Sequence, residues 1–351
     1  MKKKINIAFV SASIIALIAY VVLVDGVDNI LTVWRMANKW WLLCGVVAML
    51  VYWLFEAGIL HDITKSYHPM QRFRQTLRTS MIGQLFNCIT PFASGGQPLQ
   101  AYDMVKCGVP IGVATCSLLI KFIVYQTALT LASIVVLIFK FSEFSKEVSG
   151  FIYLVFIGFL VNFAVLAFLF CIGFFKKFTI KIVCGFIKFL GKLRIFKHVD
   201  QKLEHALVEI DEFYDGFQKI RHNKKMFVLN VLASVAQVVI YSAIPYLIYL
   251  SFDGTGYGFF DVVAAQIFVA MITAFVPLPG AIGGAEVSFY MFFQIFFPSN
   301  QLNMAILLWR LLTFYFPIVM GLLFYMRSRT PGEKQPDEDE LCLEKSNEQN
   351  R

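Results

Sequence analysis

Five ionisable side chains stand inside or at the edge of long apolar runs: Glu56, Asp103, Lys121, Glu286 and Arg310. A charge at the centre of a bilayer costs at least about 2.5–3.5 kcal/mol, so such residues face a partner or a wet pathway. Lys121 lies about ten residues into its run, roughly 15 Å along a helix, deeper than its stem can snorkel. It is expected to be paired or to face a cavity. Arg310, in LLWRLLTFYFP, keeps its proton and needs a carboxylate or a phosphate. Glu286 is the expected partner, and an ion pair between them would join two separate apolar segments. Glu56, in YWLFEAGIL, is expected near the end of its run within reach of headgroups, and Asp103 is expected at the interface beside Lys106.

Two short stretches could add backbone donors to this set. PFASGG at 91–96 and PGAIGG at 279–284 share the pattern Pro-x-Ala-x-Gly-Gly, with Tyr102 and Tyr290 in the same register. Proline stops a helix, and paired glycines allow close backbone approach and unusual dihedral angles. N–H groups at the start of the helix after each break are suited to an anion such as a phosphate. The candidate binding residues are therefore Gly95, Gly96, Gln97, Lys121, Gly283, Gly284, Glu286 and Arg310, with Glu56 and Asp103 as secondary candidates. Gln97 and Gln100 offer neutral hydrogen bonds to a polar head.

Chemistry of other kinds lacks its residues. No Walker loop, G-x-S-x-G or H-E-x-x-H is present, and the five His lie between apolar runs. The seven Cys are odd in number, scattered and without a C-x-x-C pair, and they read as small buried apolar residues. No catalytic residue, metal or cofactor is expected.

The elements that must position these groups are membrane spans. The 351-residue chain is 58% hydrophobic and only 15% charged, whereas a soluble domain carries roughly 25% charged residues. Six stretches have the roughly 20 apolar residues a transmembrane helix needs: 5–24, 40–60, 111–139, 150–175, 226–250 and 302–326. The first, after MKKK, is expected to be an uncleaved span, being too long for a signal peptide and lacking a cleavage site. Two shorter pairs, 81–89 with 97–107 and 261–276 with 285–297, are each split by one of the Gly/Pro motifs. The expected fold is all-α and polytopic, with six full spans and two re-entrant segments, or eight spans if the broken segments cross. Two similar breaks entered from opposite faces are the pattern of inverted repeats with a site near the midplane. The halves are expected at about 1–140 and 150–329.

Of the 31 Lys and Arg residues, 25 fall on one side of this layout, four on the other and two within spans. The positive-inside rule then puts both termini in the cytoplasm. The largest cytoplasmic element is 176–225. There Lys177, Lys181, Lys188 and Lys192 share one helical face and Phe178, Ile182, Phe186, Phe189 and Leu193 another, as in a helix lying in the membrane interface. A second helix bearing Leu203, Leu207, Ile210, Tyr214 and Phe217 is expected to pack back on it. The acidic tail 330–351 has little apolar surface to bury and is expected to be disordered.

TPFASGGQPLQAY at 90–102, PLPGAIGGAE at 277–286 and Arg310 together resemble the lysylphosphatidylglycerol synthase transmembrane region, a flippase-like membrane family. The resemblance covers about residues 5–327. It implies a bacterial plasma-membrane domain that moves aminoacylated phosphatidylglycerol between leaflets, a process linked to resistance against cationic antimicrobial peptides. In full-length members a separate soluble domain transfers lysine from lysyl-tRNA to the lipid. Only a short acidic stretch follows Arg327 here, so translocation or binding of the lipid is the expected function. The alternatives are a phosphatidylglycerol lysyltransferase, which alone would call for nucleic acid, and a scaffold for a separately encoded synthase. The expected partners are a membrane phospholipid, such a synthase and a second copy of the chain.

Overall fold

The computed structural model describes residues 35–148, 150–192, 223–273 and 276–326, and between 203 and 217 all but 205, 209, 212, 215 and 216. The stretch 5–24, expected as a first span, and the tail 330–351, expected to be disordered, lie outside the described residues. Among the described residues every regular element is helical: α1 (Lys39–Lys65), α2 (Phe73–Ile89), α3 (Gly96–Lys106), α4 (Ile111–Glu147), α5 (Phe151–Phe174), α6 (Lys176–Lys192), α7 (Lys224–Ser242), α8 (Ile244–Ser251), α9 (Phe259–Thr273), α10 (Gly284–Phe293), α11 (Ser299–Arg310) and α12 (Phe316–Met326). A π-helical turn, Leu311–Tyr315, joins α11 to α12.

Five units are long and apolar enough to cross a membrane: α1, α4, α5, α7 continued by α8, and α11 continued by α12. They coincide with five of the six spans read from hydropathy, and the protein is an all-α, multi-pass membrane protein. In the middle of the long helix α4 the hydroxyls of Thr127, Thr130 and Ser133 donate to the carbonyls of Ile123, Gln126 and Leu129, one turn back. Hydrocarbon requires such internal pairing.

Both broken segments fold back as helical hairpins. In the first, Thr79 near the start of α2 donates to Asp103 near the end of α3 at 2.6 Å. Further up, a Cβ on Gly96 would lie 2.8 Å from the Gly83 carbonyl, so the two helices are nearly in backbone contact. In the second, the Phe268 and Phe292 rings stack at 5.7 Å, and Gly284 sits against Val276. At 1.5 Å per residue, the 11 residues of α3 and the 10 of α10 reach only about 15–17 Å, half the roughly 30 Å hydrocarbon thickness. Neither of these short arms is long enough to cross the hydrocarbon by itself.

The tip of each hairpin is a one-turn 3₁₀ helix, Pro91–Ala93 and Pro279–Ala281, and the two tips pack against each other. Contact between the hairpins is concentrated at these tips and where the second tip meets α2. The repeat extends well beyond the six-residue motif. Pro110 and Pro298, 188 residues apart like Pro91 and Pro279, each cap the long helix that follows. The order long helix, hairpin, long helix occurs once over α1–α4 and again over α7–α12. The second unit thus begins at Lys224, and α5, α6 and the helical residues of 203–217 lie between the two.

That intervening part is tied together by the Lys176–Asp211 pair at 2.8 Å and by Thr179, whose hydroxyl meets the Ile172 carbonyl and the Tyr214 hydroxyl. The helix at 203–217 does pack back, burying Ile210, Tyr214 and Phe217. On α6, Phe178, Ile182 and Phe186 are exposed, as are Lys177, Lys181 and Lys188.

The second hairpin sits in an aromatic core. Phe289 stacks on Phe293 and on Trp309 with ring centroids 3.9 and 4.7 Å away, and Phe144 of α4 meets Phe268 edge-on. The first hairpin is held by close backbone packing. A Cβ on Gly321 of α12 would fall 2.7 Å from the Met81 carbonyl of α2.

Candidate functional site

The two tips carry the same backbone signature. Phe92 and Ala93 in the first, and Gly280 and Ala281 in the second, all have positive φ between 51° and 59°. For the three residues other than glycine this conformation costs roughly 1–2 kcal/mol each, and surrounding structure must hold it in place. At the first tip Thr90 does so: its hydroxyl accepts from the Gly95 N–H at 2.8 Å and donates to the Phe86 carbonyl at 2.6 Å.

At the second tip Arg310 does so. Its Nε meets Glu286 Oε1 at 2.6 Å, Nη1 meets the Gly280 carbonyl at 3.0 Å, and Nη2 reaches toward the Ala281 carbonyl at 3.5 Å. The guanidinium also lies over the Trp309 and Phe314 rings at 5.2 and 5.3 Å. Glu286 uses its other oxygen on the Gly283 N–H at 2.6 Å. Arg310 is thus a clamp across the second tip, with its side chain 8% exposed, while Glu286 remains 34% exposed.

Lys121 pairs with Glu56 at 2.5 Å, and Gln84 of α2 donates to the other oxygen of Glu56 at 2.6 Å. Glu56 is 4% exposed. It does not reach for headgroups, because its helix turns it onto α2 and α4 instead. Tyr52 and Tyr125 lie within electrostatic range of Glu56, and Tyr241 within range of Arg310. The Tyr52 and Tyr241 rings are 5.3 Å apart.

Asp103 belongs elsewhere. It is 3% exposed and takes Arg78 at 3.1 Å and the Thr79 hydroxyl, because the hairpin brings the end of α3 against the start of α2. Its expected neighbour Lys106 lies over the Tyr102 ring at 4.2 Å. Gln97 is exposed near the first tip, whereas Gln100 is buried against Gly83. The glycines differ from expectation too. The Gly95 and Gly283 N–H groups are already taken by Thr90 and Glu286, so neither is an open anion site. Gly96 and Gly284 permit close approach, to Asn87 and Val276 respectively. Sequence reading missed Gln84, Arg78 and Thr90. Gln84 was visible as a polar residue within an apolar run, and the other two became meaningful only with the hairpin.

Chemically the site is a pair of neutralised charge couples at membrane depth, one partly open, beside two meeting loops. A ligand carrying one charge must break a couple to bind. A ligand carrying both an anion and a cation can replace both members at once.

The comparisons with known proteins agree with this architecture. The chain is 26% identical over 296 residues to a UPF0104 membrane protein of Archaeoglobus fulgidus, a match covering 80% of this chain and 85% of that protein. No solved structure matches the chain significantly. The profile of the lysylphosphatidylglycerol synthase TM region matches residues 7–321, both hairpins included, and the chain belongs to that family.

Proposed function

We propose that this protein carries the headgroup of an anionic or aminoacylated phospholipid, such as lysylphosphatidylglycerol, between leaflets while the acyl chains stay in lipid. The observation that carries this reading is the meeting of the two hairpin tips, one of them braced by a Glu286–Arg310 couple whose carboxylate is partly exposed. Discontinuous helices meeting near the midplane are where transporters place their substrates.

An aminoacylated headgroup bears a phosphate and at least one ammonium group, two where the amino acid is lysine. The phosphate would take Arg310 as Glu286 lets go, and the freed carboxylate would take the ammonium. Glu56 and Lys121 would offer a second such couple. The exchange leaves neither Arg310 nor Glu286 unpaired, which matters where an unpaired charge is costly. Rocking of the two repeats would then part the tips on one side and close them on the other.

In this reading the protein resides in the bacterial plasma membrane with both termini cytoplasmic, as the excess of Lys and Arg on one side favours. A separately encoded synthase would supply the lipid, and its display on the outer leaflet would oppose cationic antimicrobial peptides. Proteoliposomes with fluorescent lysylphosphatidylglycerol on one leaflet test the proposal. Transbilayer movement faster than in empty vesicles is expected, and an equal rate would overturn it. Lysyl-lipid formed from charged tRNA by the purified chain would point instead to the lysyltransferase.

A further inference from the structure

A second feature lies away from the tips. A cavity of about 300 Å³ opens between the first repeat unit, the second and the part inserted between them. Its walls include Ile120 of α4, Phe170 and Phe174 of α5, Phe217, and Phe227 of α7, and Lys224 lines it as well. The volume is at the lower end of the roughly 300–1,000 Å³ typical of ligand pockets.

Three observations say what fits it. The walls are almost wholly aliphatic and aromatic, which suits a hydrocarbon chain. Phe174 is the last residue of α5 and Lys224 the first of α7, so one end of the cavity lies where two spans begin and end on the same face. Phe174 is 45% exposed and Val228, also on the wall, 54%, so the cavity opens sideways where lipid surrounds the spans. Lys224 stands exposed at this end. Beside it are Lys225 and the positive end of α7, which together favour an anion. Acyl-sized space with a cation at headgroup level is the outline of one phospholipid.

We infer that this cavity is a binding site for a membrane phospholipid with an acidic headgroup, one acyl chain lying among the phenylalanines and the phosphate at Lys224. The site is separate from the hairpin tips and does not depend on the translocation reading. It makes a lipid part of the joint between the two repeat units.

The test uses the full chain in nanodiscs and two probes, phosphatidylglycerol and phosphatidylcholine, each with a photoactivatable group in one acyl chain. Labelled peptides are mapped by mass spectrometry. Label from the phosphatidylglycerol probe is expected on the peptides bearing Phe174 and Phe227, in excess over the phosphatidylcholine probe. Lys224→Gln should lower phosphatidylglycerol labelling about fivefold, the equivalent of ~1 kcal/mol for one basic residue at an anionic surface, and leave phosphatidylcholine labelling unchanged. Lys224→Arg should keep the preference. Val228→Trp, which fills the cavity from its open wall, should lower both. Equal labelling by the two probes, an unchanged Lys224→Gln variant, or cross-links showing the cavity filled by residues 1–34 of the chain itself would overturn the inference. Translocation rate is not a readout, so a failed flippase assay leaves this test intact.

Discussion

Glu286→Gln and Arg310→Gln should not be equivalent, and the difference follows from the geometry at the second tip. Arg310→Gln removes the carboxylate's partner and leaves the Gly280 and Ala281 carbonyls without their donor. It also takes the cation away from the Trp309 and Phe314 rings. Breaking a buried pair from its more buried side costs about 3–5 kcal/mol. Glu286→Gln is milder. The amide keeps the shape, its oxygen can still accept from Gly283 or Arg310, and the guanidinium retains two carbonyls and two rings. With Glu286 a third exposed, solvent screens part of what is lost, and about 1–2 kcal/mol is expected.

The double variant should lose less than the sum, with a coupling of about 1–3 kcal/mol between contacting residues. Thermal unfolding of the four proteins in one detergent, read by the fraction surviving size-exclusion chromatography after heating, gives the cycle. Arg310→Gln proving no worse than Glu286→Gln, or the two effects simply adding, would refute the clamp. The translocation assay on the same samples separates fold from function. Glu286→Gln should remain folded yet move lipid slowly if the carboxylate takes the ammonium group. A folded Glu286→Gln protein moving lipid at the wild-type rate would remove Glu286 from the mechanism.

The Glu56–Lys121 couple predicts a rescue. Lys121→Met should cost about 3–5 kcal/mol by stranding a 4%-exposed carboxylate, and Glu56→Gln added to it should recover most of that, measured as the unfolding midpoint. Two glycines make an opposed pair: Gly321→Leu should abolish folding because its Cβ meets the Met81 carbonyl, while Gly58→Ala, with open space around it, should be neutral or stabilising by up to about 1 kcal/mol. Expression and melting of the two variants check this. Cysteines at Ala93 and Ala281, in a background lacking the native ones, should be joined by a short bismaleimide, since the tips meet; absence of cross-linking would place the tips apart.

The hairpin tips were legible because their backbone makes unusual demands. A left-handed pair of residues after a proline leaves a compositional trace, and finding the trace twice exposed the repeat. Pro110 and Pro298 extend it at the same offset and could have been found in the same way. Partners of the buried charges were hidden for a different reason. Glu56 and Lys121 are 65 positions apart, and only the packing of α1 against α4 brings them together. Asp103 was closer to reach. Folding the chain back at Pro91 sets Thr79 against Asp103 and Asn87 against Gly96, so a hairpin assumed from the motif already points away from Lys106. The Gly283 N–H is not a free donor because Glu286 stands three residues on, the spacing at which a side chain reaches back to the start of its helix.

The pairing of every deep charge described here constrains how the site can work. A lone Lys or Arg at membrane depth would bind any small anion and would pull it from water at the expense of burying it. Glu56–Lys121 and Glu286–Arg310 instead present no net charge, so a simple anion gains Arg310 only by leaving Glu286 bare. With Glu286 a third exposed, that loss is smaller at the second tip than at the first couple, where Glu56 is enclosed. Exchange should therefore begin at Arg310, where the tip carbonyls of Gly280 and Ala281 share the guanidinium and a departing carboxylate does not strip it of every partner. A clamp that holds a strained turn and a site that releases a carboxylate are then the same residue. Occupation by a headgroup would be felt directly in the backbone of the tip, which is one of the contacts between the two repeats.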